Sequence, residues 1–334
     1  MKGDAFAHVM PRAFSGEFEK EAAKIGTTAL FWPIDDLADL DRRVEVMDEF
    51  GIDQQVLALG SVPIVDVIPD STVAARLARL ANDSLAEMIA DYPGRFLPVG
   101  TIAMDDMESG LTEAEHCLQD LGMLGIQIYS NARGRAIDHP EFFPLYAMAA
   151  EAGKPLWLHP ARALSRADYV DEPSSYHSMA FVLGWPYETT QAMTRLVFAG
   201  IFEQLPELKI IVHHAGAMVP LLARRIETAY NQEHTADHTY TIMTTGEKAP
   251  LQRPVIDYFR MFYTDTASHG SVMAIRGAYE FFGPEHLLFG TDSPFDFQCG
   301  RELTPIHLNA IASAVASPKD RELIFGGNLQ RLLA

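Results

Sequence analysis

Five short apolar runs in this chain end on a side chain that can do chemistry. His8 closes "DAFAH", His159 closes "PLWLH" and the pair His213–His214 closes "LKIIVHH". Asp265 ends "RMFYTD", with His269 shortly after, and Asp292 ends "HLLFGTD". Aliphatic and β-branched runs of this length read as buried strands, so each of these groups sits where a strand meets a loop. Two strand-borne histidines plus a carboxylate suffice to hold a divalent ion and leave a position open for water or substrate. His8, His159 and Asp292 are the expected ligands. His214 is then left beside the ion for proton transfer. Alternation along a strand puts residues two apart on one face. Phe6 therefore points the same way as His8, one layer deeper, and Trp157 the same way as His159. The same rule puts His213 and His214 on opposite faces, so His213 is expected to pack behind its strand. Taken singly, a histidine is more often a hydrogen-bonded core residue than a ligand, and Asp292 suits a helix N-cap or turn. The weight lies in the joint placement. His116, His139, His234, His238, His286 and His307 fall on expected helices or loops and read as surface.

These ends meet only if the strands are parallel and wrap around one axis. The candidate strands cover 3–8, 54–60, 95–102, 124–130, 155–159, 208–214, 260–266 and 286–292. Helical patterns lie between them. In "DLADLDRRVEVMDEFG" the apolar positions Leu37, Leu40, Val44, Met47 and Phe50 step by three and four, and Gly51 follows as a C-cap. Eight strands alternating with helices predict a (β/α)8 barrel, one domain over residues 1–334, with strand C-termini converging on one face. A doubly wound open sheet is the rival. No GxGxxG follows the first strand, which weakens its dinucleotide-binding form. Three long non-periodic segments, 11–35, 161–184 and 230–254, are expected to be loops on the site face.

Charge and composition narrow the partners. With 26 basic against 45 acidic residues the net charge is −19, which repels phosphate backbones and argues against nucleic acid. A local arginine still allows a small anionic substrate. Cys117 and Cys299 form no CxxC pair, so a thiolate metal site or disulfide framework is not expected. "MKGDAFAHVM" lacks the apolar core of a signal peptide and no apolar run approaches the ~20 residues of a membrane span. The expectation is a cytoplasmic protein with no membrane partner.

The motifs "DAFAHVMP", "PLWLHPAR", "GWPYETT", "LVFAGIFEQLPELKIIVHHAGAMVP", "YFRMFYTDTA" and "LLFGTDSPF" resemble the amidohydrolase superfamily, in the branch that includes aminocarboxymuconate-semialdehyde, γ-resorcylate and 5-carboxyvanillate decarboxylases. The resemblance runs nearly the length of the chain and is most specific from Gly184 to Pro220. It implies a (β/α)8 barrel with one divalent metal, zinc first, with manganese or magnesium as alternatives. The family's first-strand motif reads His-x-His or Glu-x-His before a proline, and its second position matches His8. His159 matches the fifth-strand ligand. His214, six residues before Pro220, matches the acid/base histidine. Asp292 matches the aspartate of the final "GTDxPF" pattern, as a metal ligand or a partner of that histidine. Phe6 departs from the pattern, because it stands where the first ligand belongs and cannot bind metal.

The implied reaction is non-oxidative decarboxylation of a small aromatic or unsaturated carboxylate, with His214 as general acid and Asp265 or Asp292 setting its pKa. Arg162 suits a bidentate grip on the substrate carboxylate, against an ordinary loop salt bridge. Phe6, Trp157, His177, Phe181 and Trp185, with Tyr187, are candidates for the pocket wall, against plain packing. Hydrolysis or hydration by a metal-polarised water uses the same residues. A metal-free binding protein that has lost the chemistry is a third reading. The resemblance also implies a homodimer or higher homo-oligomer.

Overall fold

The computed structural model describes residues 1–27, 34–60, 63–232, 248–296 and 298–333. Its frame is a ring of parallel strands. They are β1 (Gly3–Val9), β2 (Gln54–Leu59), β3 in two pieces (Phe96–Pro98 and Gly100–Thr101), β4 (Ile126–Tyr129), β5 (Leu156–His159), β6 (Ile210–Val212), β7 (Tyr263–Asp265) and β8 (Leu287–Leu288). Each pairs with the next in chain order, and β3 changes neighbour at Val99, its first piece on β2 and its second on β4. The ring closes between β1 and the segment around β8. Ala5 N donates to Phe289 O at 2.7 Å, Asp292 N to Phe6 O at 3.0 Å and His8 N to Ser293 O at 2.8 Å. This is the barrel the alternation predicts, with a helix between most strands. All eight expected strands are present, several shorter than their apolar runs.

The interior is filled by Ala5, Phe6, Val56, Ala58, Val99, Trp157, Ile211 and Leu288, and Leu329 and Leu332 of the helix Asn328–Leu333 join this cluster. The β1–β2 register shifts between Asp4 and Ala7, a bulge that puts the consecutive residues Ala5 and Phe6 both in the interior cluster. Trp157 is fully buried there and its indole N–H donates to Ala5 O at 3.0 Å. Outside the ring, a larger apolar layer including Ala7, Val9, Leu57, Ile128 and Leu158 packs against the helices.

Local signals account for several helix ends. Asp39 caps the helix Leu40–Phe50 by accepting from Arg42 N, and Gly51 ends it at φ 63, a left-handed conformation natural to glycine. Asp70 caps Ser71–Ile89 in the same way. Segment 11–35 corrects its expected reading: it holds the helix Arg12–Lys24, which buries Phe14, Phe18 and Ala22 at four-residue steps. That single narrow stripe is too sparse to stand out as a period. Segment 161–184 has neither helix nor strand until Ala180–Gly184. In 230–254, the helix Val219–Gln232 covers the start, and 233–247, with His234 and His238, lie outside the described residues. Among the described residues no helix is long and apolar enough to cross a membrane.

Candidate active site

The strand ends bring four histidines and two aspartates together at the C-terminal mouth of the barrel. His8 ends the inward face of β1, and His159 is the last residue of β5. His213 and His214 follow directly on β6, Asp265 ends β7, and Asp292 lies four residues past β8. All but His214 are buried, and His214 is half-buried. Ring nitrogens of His8, His159 and His213 all lie within 4.8 Å of one another, and so do ligand atoms of His213, His214 and Asp292.

Asp292 is the hub. Its Oδ1 lies 3.1 Å from His8 Nε2 and 3.2 Å from His213 Nε2, and its Oδ2 lies 3.5 Å from His214 Nε2. Burial alone would raise its pKa, but the surrounding imidazoles, His213 foremost, hold it well below the usual carboxylate range. The His8 contact is close but poorly aligned, so both His8 ring nitrogens are buried without a hydrogen-bond partner. Burial keeps His8 and, more strongly, His159 below the ordinary histidine pKa and therefore neutral. The Nδ1–H of His159 donates to Pro160 O at 2.7 Å, which leaves Nε2 unprotonated with its lone pair free. Neutral imidazoles with free lone pairs beside an ionised carboxylate make a donor set that fits a divalent cation.

His213 corrects the expectation that it packs behind its strand. The strand ends at Val212 and the chain turns at once, with His214, Ala215 and Ala217 all at positive φ, 65, 54 and 53. Alternation holds only within extended chain, so both histidines reach the mouth. His213 Nδ1 makes a short contact with Asp265 Oδ2 while its Nε2 faces Asp292. Burial works to lower its pKa, and the two carboxylates more than reverse that, to about 10. The ring of Phe6 lies flat under His213, centroids 3.9 Å apart and planes 16° apart. Asp265 also accepts from the backbone N–H groups of His214, Ala215 and Ala267. It thus shapes the turn and orients His213, and its charge also acts to raise the His214 pKa, less than that of Asp292 does.

The other candidates separate into wall, floor and periphery. Trp185 lines the mouth, its ring 5.4 Å from that of His159 and stacked at 6.1 Å on His214. Phe181 stands edge-on to Trp185 at the exposed rim. Burial and the positive charge of His213 hold the His214 pKa below the usual histidine value. Trp157 is floor packing deep in the barrel and not wall, and Phe6 lies between it and the histidines. Arg162 is paired with Asp168 at 3.0 Å and Glu188 at 3.5 Å, the salt-bridged state weighed against a substrate grip, although its buried Nε has no partner. His177 and His269 are exposed, and the ring contact of His177 is with its neighbour Tyr176. Tyr187 is exposed.

Among the histidines read as surface, His139 is exposed, while His116 and His286 are half-buried in hydrogen bonds of their own. His307 is buried, with Nδ1 3.3 Å from Thr266 O. The period of its helix shows why: Thr304, His307, Ile311 and Ala314 share one buried face.

Comparison with known proteins agrees with this geometry. The family model described as amidohydrolase matches residues 4–334. γ-Resorcylate decarboxylase of Polaromonas sp. (strain JS666) is 32% identical over 303 residues, covering 87% of this chain and 86% of that one. The 2-amino-3-carboxymuconate-6-semialdehyde decarboxylase of Dictyostelium discoideum is 28% identical, covering 88% of this chain and 76% of its own. Among solved structures, a dihydroxybenzoic acid decarboxylase from Polaromonas sp. JS666, with bound manganese and the inhibitor 2-nitroresorcinol, superposes with TM-score 0.76 at 29% identity over 99% of this chain and 96% of that one. A 5-carboxyvanillate decarboxylase mutant from Novosphingobium aromaticivorans, with manganese and a nitrobenzoic acid, gives TM-score 0.82 at 25% identity over 100% and 97%.

Proposed function

Since the chain belongs to the amidohydrolase family, in its branch of γ-resorcylate and aminocarboxymuconate-semialdehyde decarboxylases, we propose that it is a metal-dependent carboxy-lyase acting on a small aromatic or unsaturated carboxylate. The observation that carries the reading is the buried His8 ring, neither nitrogen of which makes a well-formed hydrogen bond, set among His159, His213 and Asp292 directly beside His214 and Trp185.

His8, His159 and Asp292 hold the ion, which when bound supplies Lewis-acid polarisation of substrate oxygens and a fixed positive charge for the carboxylate. Imidazole-rich donors suit zinc, and the two decarboxylase structures above contain manganese, so both metals belong in a loading experiment. The indole of Trp185 offers a flat apolar wall for an unsaturated ring. His214 stacks on that wall and faces Asp292, which stabilises its protonated form as it prepares to donate. The His214 proton passes to the carbon bearing the carboxylate. The bond from that carbon to the carboxylate then breaks, its electron pair restores the conjugation, and CO2 leaves. Solvent returns the proton to His214.

The test supplies the zinc- or manganese-loaded protein with ortho-hydroxybenzoates and carboxymuconate semialdehydes in deuterium oxide. Expected are CO2 release and one deuterium at the vacated carbon. Oxygen from labelled water in the product, without CO2, would replace this reading with hydrolysis or hydration. Metal content gives the independent check: about one ion per chain, lost in His8→Ala/His159→Ala.

A further inference from the structure

The residue below His8 on the inward face of β1 is Phe6, a side chain with no donor atom, so β1 contributes a single ligand to the ion. The mouth also holds the imidazole of His213, beside those of His8 and His159. From Asp265, His213 and Phe6 together, the geometry points to His213 as a metal ligand from β6 that replaces a β1 ligand at position 6. The inference rests on the metal-binding reading above and goes beyond it by naming a fourth protein ligand.

Three observations carry it. First, His213 has one ring nitrogen on each side of the problem: Nδ1 contacts the buried carboxylate of Asp265, and Nε2 points to the hub oxygen of Asp292, 3.2 Å away. A carboxylate behind the remote nitrogen of a histidine is the arrangement that fixes tautomer and orientation in metal sites. Second, the His213 nitrogen lies within 4.8 Å of nitrogens on both His8 and His159, so it shares a centre with the two strand-borne ligands. Third, Phe6 is spent on placing it. The two rings are stacked at 3.9 Å with 16° between their planes, and Phe6 is fully buried. The face of the His213 ring turned to the barrel floor is thus covered by an apolar ring, which leaves its two nitrogens for Asp265 and for the centre beside Asp292.

The experiment is pulsed electron paramagnetic resonance on the wild-type protein, loaded with one manganese ion per chain and labelled with 15N only in histidine. Three coordinated imidazole nitrogens are expected, from His8, His159 and His213. Two would overturn the inference and leave the metal-binding reading standing. Failure of the wild type to take up manganese or zinc would overturn both. Variants give a second, independent arm, read by chelator competition. His213→Asn is expected to weaken manganese binding by on the order of 100-fold, at or above the ~10–100-fold of an outer-sphere change. The double variant Phe6→Glu/His213→Gly is expected to recover most of that loss. A His213→Asn protein that binds like wild type overturns the inference. If that single variant does not fold, the number of coordinated histidine nitrogens in the wild-type protein decides the inference by itself.

Discussion

The seam that closes the barrel carries two buried carboxylates, one on each face, and they live in opposite circumstances. Asp4, on β1, turns toward the helices. Its Oδ1 accepts from Phe6 N at 3.3 Å and Thr291 N at 3.0 Å, and its Oδ2 from Gln55 Nε2 at 2.8 Å and Thr291 Oγ1 at 2.5 Å. Gln55 in turn accepts from the buried Arg43, which also donates to His8 O. Every oxygen of Asp4 is satisfied by the protein itself. Asp292, one residue after Thr291, turns into the mouth, where its neighbours include a histidine with both ring nitrogens unpartnered. A closed network fixes a structure, while one with spare lone pairs awaits something else. The same two chain segments thus supply a clamp on one face and a candidate ion site on the other.

If that division is right, substitutions on the two faces fail in different ways. The largest effect belongs to the inner face. His214→Asn is expected to lower kcat/KM by about 10²–10⁴-fold, the range of a positioned acid–base group. Its melting temperature and metal content should stay at the wild-type values, since the His214 side chain is outside the proposed ligand set. Steady-state kinetics beside a thermal melt decides this. A drop in melting temperature that accounts for the lost activity would show His214 to be structural.

The outer face should register in stability and pH. Four donors favour ionised Asp4, yet burial still raises its pKa from 3.8 to about 6. Where the folded state binds the proton more tightly than the unfolded one, stability falls as pH rises, here across the window from about 4 to about 6, and is level above it. The full change is at most about 3 kcal/mol at ~1.4 kcal/mol per unit. Asp4→Asn is expected to abolish this slope. Denaturant midpoints of wild type and variant, subtracted at each pH, isolate it from other titrations. Parallel profiles would show that Asp4 does not titrate in this window.

How far the sequence shows this division follows from where regular geometry stops. His8 and His159 lie inside strands, so a period of two assigns their faces, and both were legible. Asp265 and Asp292 were legible as strand-end carboxylates, although their roles needed coordinates: Asp265 bonds His213 and the turn and acts on the His214 ring only through its charge. His213 was missed because the chain leaves extended geometry between it and Val212, and no period describes a turn. His307 was recoverable from its helical face, and weighing only strand ends passed it over. Asp4 was invisible as a functional contrast, because one carboxylate at the start of a strand shows nothing of the threonine 287 positions away that satisfies it.

Thr291 tests whether the two faces are separable at all, since it stands between them in sequence. Its hydroxyl donates to Asp4 Oδ2 and accepts from Ser293 N at 3.1 Å, so it touches the outer network and the loop that carries Asp292. Thr291→Val keeps the shape and removes both bonds. The cost should be ~1–3 kcal/mol of stability, because a buried carboxylate oxygen loses a donor and a buried N–H loses its acceptor. Activity should fall much less, by only a few-fold. Asp292 keeps its own anchor, the bond from its N–H to Phe6 O, and His8 keeps its bond to Ser293 O. A stability loss with near-normal turnover at low temperature would confirm that the outer clamp and the inner site share strands but not duties. Turnover lost in proportion to His214→Asn would show instead that the clamp positions Asp292, and that the seam works as one unit.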